Sequence, residues 1–297
     1  MFNFSATPPL SLYIHIPWCV RKCPYCDFNS HEARGGIPEQ DYIRALVADL
    51  EQDLPSVWGR SVETVFLGGG TPSLFSGQAI HRLLEGISSL TPFGPTLEAT
   101  MEANPGSAEA GTFAEFRAAG INRLSLGIQS FDDACLQGLG RIHTGEQARA
   151  AVEFAHAAGF RNLNIDLMHG LPGQTPHSAA LDLEAALACN PTHLSWYQLT
   201  IEPNTVFHSR PPQLPVEDAL ADIQQAGEHL LVAAGYQQYE VSAYSQEGFN
   251  CRHNLNYWTF GDYLGIGAGA HGKISLSDGR IQRYAKRRQP EHYLKAG

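Results

Sequence analysis

The sequence predicts an α/β protein built on a parallel sheet. Three observations carry that expectation. Six short β-type runs alternate with six amphipathic, Ala-rich stretches. The runs are close to continuous in apolar character, as strands buried on both faces are. Three of the helical stretches end on a glycine suited to a C-cap, Gly120, Gly159 and Gly235. Strands that alternate with helices imply helical crossovers, either in a doubly wound sheet or in an incomplete (β/α) barrel.

In chain order the expected strands are Leu12 to Ile16, Thr64 to Leu67, Glu98 to Glu102, Arg123 to Gln129, Asn162 to Leu167 and Leu194 to Ile201. The helices between and after them are Gln40 to Leu54, Gln78 to Leu90, Ala108 to Ala119, Gly145 to Ala158, Pro176 to Cys189 and Glu217 to Ala234. After Gly235 the pattern changes to a segment rich in aromatic, Gly and Asn residues, 236–271. The basic end, 280–297, has no helix stop signal, so a chain cut short there is expected. The division is a core over residues 1–241 and an extension over 242–297.

The chain has 297 residues and a formal net charge of -10. A surplus of acid repels a phosphate backbone, so no nucleic-acid partner is expected. The N-terminus has no basic start, long apolar run or cleavage site, and no stretch is long and apolar enough to span a bilayer. The six cysteines, Cys19, Cys23, Cys26, Cys135, Cys189 and Cys251, are three clustered and three scattered. That is no disulfide framework, and a cytoplasmic protein with thiolate metal ligands is the expectation.

The cluster Cys19-Val-Arg-Lys-Cys23-Pro-Tyr-Cys26 directly follows the first strand. Iron–sulfur clusters are normally held by four thiolates, and three on a tight loop leave one iron of a cubane open. The alternative is structural zinc with His15 or His31 as fourth ligand. Gly68-Gly69-Gly70-Thr71-Pro72, after the second strand, allows close backbone approach, or is simply a tight βα turn. Glu102, Gln129, Asp166 and Thr200 stand at later strand ends, where barrel sites gather. Leu171-Pro172-Gly173-Gln174 reads first as a loop former.

With Tyr25 before Cys26, the sequence resembles the radical SAM (S-adenosylmethionine) proteins. The wider text, YIHIPWC…CPYCDFNSH, resembles the group that unites oxygen-independent coproporphyrinogen III oxidases with haem chaperones. The likeness runs from about Leu10 to about Arg283. It implies an incomplete (β/α)6 TIM-like barrel of the radical SAM type, followed by a partial C-terminal extension, because members continue with a smaller C-terminal domain. It also implies a [4Fe-4S] cluster on Cys19, Cys23 and Cys26, with SAM on the open iron. The matching SAM positions are Tyr13, Tyr25, Gly69, Gly70, Thr71, Glu102, Gln129, Arg141, Asp166, Thr200 and His271.

The two activities of the group separate on two features. The oxidase motif adds a cysteine two residues after the third, where this chain has Phe28. The chaperone branch carries HNxxYW, matched here by His253-Asn254-Leu255-Asn256-Tyr257-Trp258. The resemblance therefore implies a haem-binding chaperone, with coproporphyrinogen III oxidation in porphyrin biosynthesis as the alternative. His253 is the expected haem ligand, Tyr257 a substitute ligand, and Tyr257 and Trp258 covers for the porphyrin. From the residues alone, a packed aromatic turn with a satisfied histidine competes with that role. The implied partners are haem, acceptor haemoproteins including membrane-bound respiratory ones, an electron donor for the cluster, and a second copy of the chain in a homodimer.

Overall fold

The computed structural model describes residues 7–106, 110–276 and 278–295. The strands are β1 Leu10–Ile16, β2 Val62–Gly69, β3 Phe93–Ala103, β4 Arg123–Gln129, β5 Asn162–His169, β6 His193–Gln198, β7 Gln237–Glu240, β8 Ala243–Ser245, β9 Asp262–Ile266, β10 His271–Ser275 and β11 Ile281–Ala285. The helices are α1 Glu39–Asp53, α2 Gly77–Leu90, α3 Ala110–Ala119, α4 Asp133–Gly138, α5 Gly145–Ala157, α6 Pro176–Ala188, α7 Val206–Ser209, α8 Glu217–Ala233, α9 Arg252–Trp258 and α10 Pro290–Leu294. Among the described residues no helix is long and apolar enough to cross a membrane.

Among the described residues one sheet of 11 strands runs in the order β11-β10-β9-β1-β2-β3-β4-β5-β6-β8-β7. β1 to β6 are parallel neighbours, and each is followed by helix before the next strand of the six. This is the partial TIM-like barrel. Residues after 241 add strands at both edges. β9 lies parallel to β1, with Leu12 opposite Leu264, while β10 and β11 continue antiparallel. On the far side β8 lies antiparallel between β6 and β7, and β7 forms that edge. The strands meet the expectation to within a few residues, although β6 ends at Gln198 and leaves Leu199 to Ile201 as loop.

The expected continuous apolar character does not hold. Residues two apart share a face, and the two faces differ. Leu12, Ile14, Val65, Leu67, Ala99, Met101, Leu124, Leu126, Leu163 and Ile165 are buried in the main core with the helices. The alternate positions include Ser11, His15, Thr64, Glu98, Thr100, Arg123, Ser125, Asn164 and His193, and these are buried polar groups. Several satisfy one another, while Thr100 Oγ1 and Arg123 Nε have no hydrogen-bond partner among the described residues. Ser125 and Asn164 bond Asp166, and His193 bonds Asn164 and Tyr239. One face of the sheet is thus polar along its length, which makes room for a hydrophilic site.

Candidate functional site

The cysteine loop is anchored at both feet. Trp18–Cys19 pairs in parallel with His31–Glu32. Within it Cys26 N–H donates to Cys23 O at 3.1 Å, and Lys22 Nζ donates to Phe28 O at 2.9 Å. The glycine turn after β2 presses against it: Gly70 and Thr71 N–H donate to Ile16 O and Trp18 O, both at 2.7 Å. A Cβ on Gly70 would stand 2.5 Å from Trp18 O, so only glycine allows this approach. On the other side Phe207 N–H donates to Pro24 O at 3.0 Å, and Tyr25 packs into a small cluster with Leu139, Met168, Leu171, Leu199 and Phe207.

Cys19, Cys23 and Cys26 all line one cavity of about 550 Å³. Burial pushes the Cys19 and Cys26 thiols above their ordinary range, an effect that a bound metal's charge opposes. Among the described residues no three His, Cys, Asp or Glu groups converge on a single-ion site. His15 has no ring nitrogen to spare, with Nδ1 3.0 Å from Tyr13 OH and Nε2 3.0 Å from Asn29 O. His31 Nε2 lies 3.3 Å from Asn29 Oδ1. Structural zinc needs four ligands on one ion. Three thiols around a roomy cavity fit a cubane instead, in which each thiolate takes a different iron.

The same cavity gathers Tyr25, Gly69, Gly70, Thr71, Glu102, Gln129, Arg141, Asp166 and Thr200. Glu102 accepts the Gly69 N–H at 3.1 Å. Burial and the neighbouring Asp166 push its carboxyl up to about 8, against the pull of that bond. Asp166 is also raised by burial, opposed by its bonds from Asn164 and Ser125. Gln129 closes β4 with φ at 72°, a left-handed conformation that costs a non-glycine residue of order 1–3 kcal/mol. Its Oε1 accepts from Tyr197 OH at 2.8 Å. Arg141 donates to Asn104 Oδ1 and Gly127 O, each at 2.5 Å, and to Cys23 Sγ at 3.6 Å. A guanidinium fixed beside a cluster thiol suits a carboxylate of a ligand on that cluster. Thr200 lies at the exposed mouth and donates to Glu202 at 3.0 Å.

Sequence reasoning missed Asn104, which joins Arg141 to Thr71 by a 3.0 Å bond, and Tyr197, which orients Gln129. The signal for Asn104 was its place just past the third strand. Leu171–Gln174 is the expected turn, closed by Gln174 N–H to Leu171 O at 2.9 Å.

Tyr13 and His271 do not line the cysteine cavity. They face a second one of about 660 Å³, with Phe28, Tyr257, Tyr263 and Arg288, and the two cavities share Phe28, Gly69 and Glu102. His253 differs from the expected open ligand. It is 1% exposed, stacks 5.0 Å from Phe66, and has Nδ1 2.7 Å from Thr64 Oγ1 and Nε2 3.1 Å from Tyr257 OH. Thr64 spends its hydroxyl hydrogen on Ser11, so His253 Nδ1 carries the proton and Nε2 accepts from Tyr257. Glu98 caps the helix, accepting the Arg252 and His253 N–H groups at 3.2 and 3.1 Å. The motif is thus a packed aromatic turn with a satisfied histidine. Trp258 stands 58% exposed at its end.

Residues 13–186 match the family model of the radical SAM superfamily. Over 287 residues the chain is 57% identical to the haem chaperone HemW of Escherichia coli, covering 97% of this chain and 76% of that one. With the haem chaperone HemW of Haemophilus influenzae the identity is 56%, with the same coverage. Among solved structures, the coproporphyrinogen III oxidase HemN of Escherichia coli, a radical SAM enzyme, superposes with a TM-score of 0.83 at 28% identity, over 97% of this chain and 69% of that one.

Proposed function

Because the chain belongs to the radical SAM superfamily and, within it, to the HemW family, we propose that it is a haem chaperone, which binds haem and delivers it to acceptor haemoproteins. The observation that carries the reading over porphyrinogen oxidation is Phe28. It stands where the oxidase motif adds a cysteine, is 59% exposed, and lines both cavities.

Cys19, Cys23 and Cys26 would hold a [4Fe-4S] cluster and leave its fourth iron to the amino and carboxylate groups of SAM. When bound, the cluster supplies an electron that can cleave the SAM C–S bond. The chain's own groups do the rest. Arg141 takes the carboxylate, the Gly69–Gly70 turn the amino group, and Glu102 the ribose hydroxyls. Gln129, Asp166 and Thr200 complete the walls. The acceptors include membrane-bound respiratory haemoproteins, the setting is the cytoplasm, a reduced donor feeds the cluster, and the chain pairs as a homodimer.

The test is anaerobic reconstitution, followed by haem in one arm and coproporphyrinogen III with SAM and a reductant in the other. A Soret band from stoichiometric haem, with no protoporphyrinogen IX formed, is expected. Formation of protoporphyrinogen IX overturns the reading.

A further inference from the structure

The three cysteines are not equivalent. Cys19 and Cys26 line the cluster cavity. Cys23 lines it too, and also an outer cavity of about 560 Å³, lined in part by the exposed side chains of Val20 and Ile142. Cys26 Sγ has a neutral partner, Ser30 Oγ at 3.8 Å. Cys23 Sγ has a charged one, Arg141 Nη1 at 3.6 Å. A hydrogen bond from a charged donor is roughly twice as strong as a neutral one. The thiol that faces two cavities therefore has a cation fixed beside it.

That cation does not stay in place through its own stiffness. An arginine side chain has a long flexible stem, and ordering it costs up to about 2 kcal/mol. Two acceptors fix its other amino group: Nη2 donates to Asn104 Oδ1 and to Gly127 O, each at 2.5 Å. Asn104 directly follows β3, and its Nδ2 donates to Thr71 Oγ1 at 3.0 Å, so the amide is itself tied to the glycine turn after β2. The backbone just before Arg141 is pressed against the cysteine loop. Gly140 has φ at 70°, and a Cβ there would stand 2.8 Å from Pro24 Cδ. Gly127 O is main chain and survives any side-chain change. Asn104 Oδ1 is the acceptor that a substitution removes.

Hydrogen bonds and positive charge at the sulfurs of an iron–sulfur cluster stabilise its reduced, more negative state, and so raise its reduction potential. We propose that Arg141 sets the potential of the cluster through its bond to Cys23, and that Asn104 is the positioning residue that holds the guanidinium there. The step it tunes is the arrival of one electron from the reduced donor, with no bond formed or broken. This deepens the reading of the cysteine site and rests on its [4Fe-4S] cluster. Arg141 then has two tasks, because the charge that meets the SAM carboxylate is also shared with a cluster thiolate.

The experiment is an anaerobic redox titration of the reconstituted cluster without SAM, followed by electron paramagnetic resonance. It compares the full chain with Arg141→Met, Asn104→Leu and Asn104→Ser. At a fixed solution potential the ratio of reduced to oxidised cluster should fall at least roughly tenfold in Arg141→Met, a shift of about 59 mV for a one-electron couple. Both Asn104 variants should move the potential the same way by less, although the guanidinium is still present. The milder Asn104→Ser decides the matter if Asn104→Leu fails to fold. A merely structural loss would lower the cluster content without moving the potential of the clusters that remain. In a chain carrying isotope-labelled arginine, pulsed resonance of the reduced cluster should show a nitrogen coupling that is absent from Arg141→Met and weaker in the Asn104 variants. An unchanged potential in Arg141→Met overturns the role of Arg141. A potential lowered in Arg141→Met but unchanged in both Asn104 variants overturns that of Asn104. A wild-type chain that holds no cluster removes the cluster reading itself, and this proposal with it.

Discussion

Replacing His253 with alanine should cost the fold about 3 kcal/mol while leaving the iron–sulfur site in place. The figure follows from what the ring does. It makes two buried hydrogen bonds, to Thr64 at 2.7 Å and Tyr257 at 3.1 Å, each with a net value of about 1 kcal/mol. Thr64 keeps Ser11 as a partner, so its hydroxyl is not orphaned. The ring also fills space beside Phe66, and truncating a fully buried side chain to alanine costs roughly 2–5 kcal/mol in all. Equilibrium unfolding in urea at pH 7.5 measures the loss through the midpoint at unchanged slope. A loss under about 1 kcal/mol would refute the reasoning, because a ring that ligates cargo rather than packing would show that small effect. The pH dependence offers a second check. Burial, and the Arg123 charge nearby, hold the imidazole down to about 3. The unfolded chain takes up a proton near 6.5 that the native chain refuses, so stability present above 6.5 is lost as pH falls, at up to about 1.4 kcal/mol per unit. His15, His143, His169 and His193 are lowered by burial in the same direction, so the acid loss is steep and His253→Ala removes one share of it.

Glu102 gives the opposite slope. Its folded carboxyl, pushed up to about 8, keeps a proton that the unfolded chain releases near 4.5, so its contribution falls as pH rises between those values. The histidines act alike in both proteins, so the comparison isolates Glu102: between about pH 5 and 8 the slope of urea stability against pH should be more positive in Glu102→Gln than in the wild type; an equal slope in both proteins sinks the assignment. For the metal site, anaerobic iron and sulfide analysis of Cys19→Ala, Cys23→Ala and Cys26→Ala should show the cluster lost. Cys135→Ala and Cys189→Ala should retain about four irons, as a [4Fe-4S] cluster requires; stoichiometric zinc in the wild type would end the cluster reading.

Much of this was legible in the residues. The alternation of strands and helices located β1 to β5 within a few residues, because each unit is closed by local signals. The three cysteines and the glycine turn were legible because their chemistry depends on short spacing. β9 was not. Asp262–Ile266 pairs with β1, some 250 residues earlier, and no local periodicity records so distant a partner. The polar face was written plainly in Ser11, Tyr13 and His15 alternating with Leu12, Ile14 and Ile16, but β-branched and aromatic content hid it. His253 was open to either reading. Its burial depends on Thr64, Ser11 and Phe66, which only folding brings to it.

Glu102, Gly69 and Phe28 form one partition with a chamber on either side. A carboxyl that burial and Asp166 push up to about 8 in such a wall has a single proton count for both chambers. Any guest that fixes its charge from one side sets the charge that the other guest meets. Reciprocity then binds the two occupancies: the factor by which a guest in one chamber changes the affinity of the other chamber for its guest must equal the factor in the reverse direction.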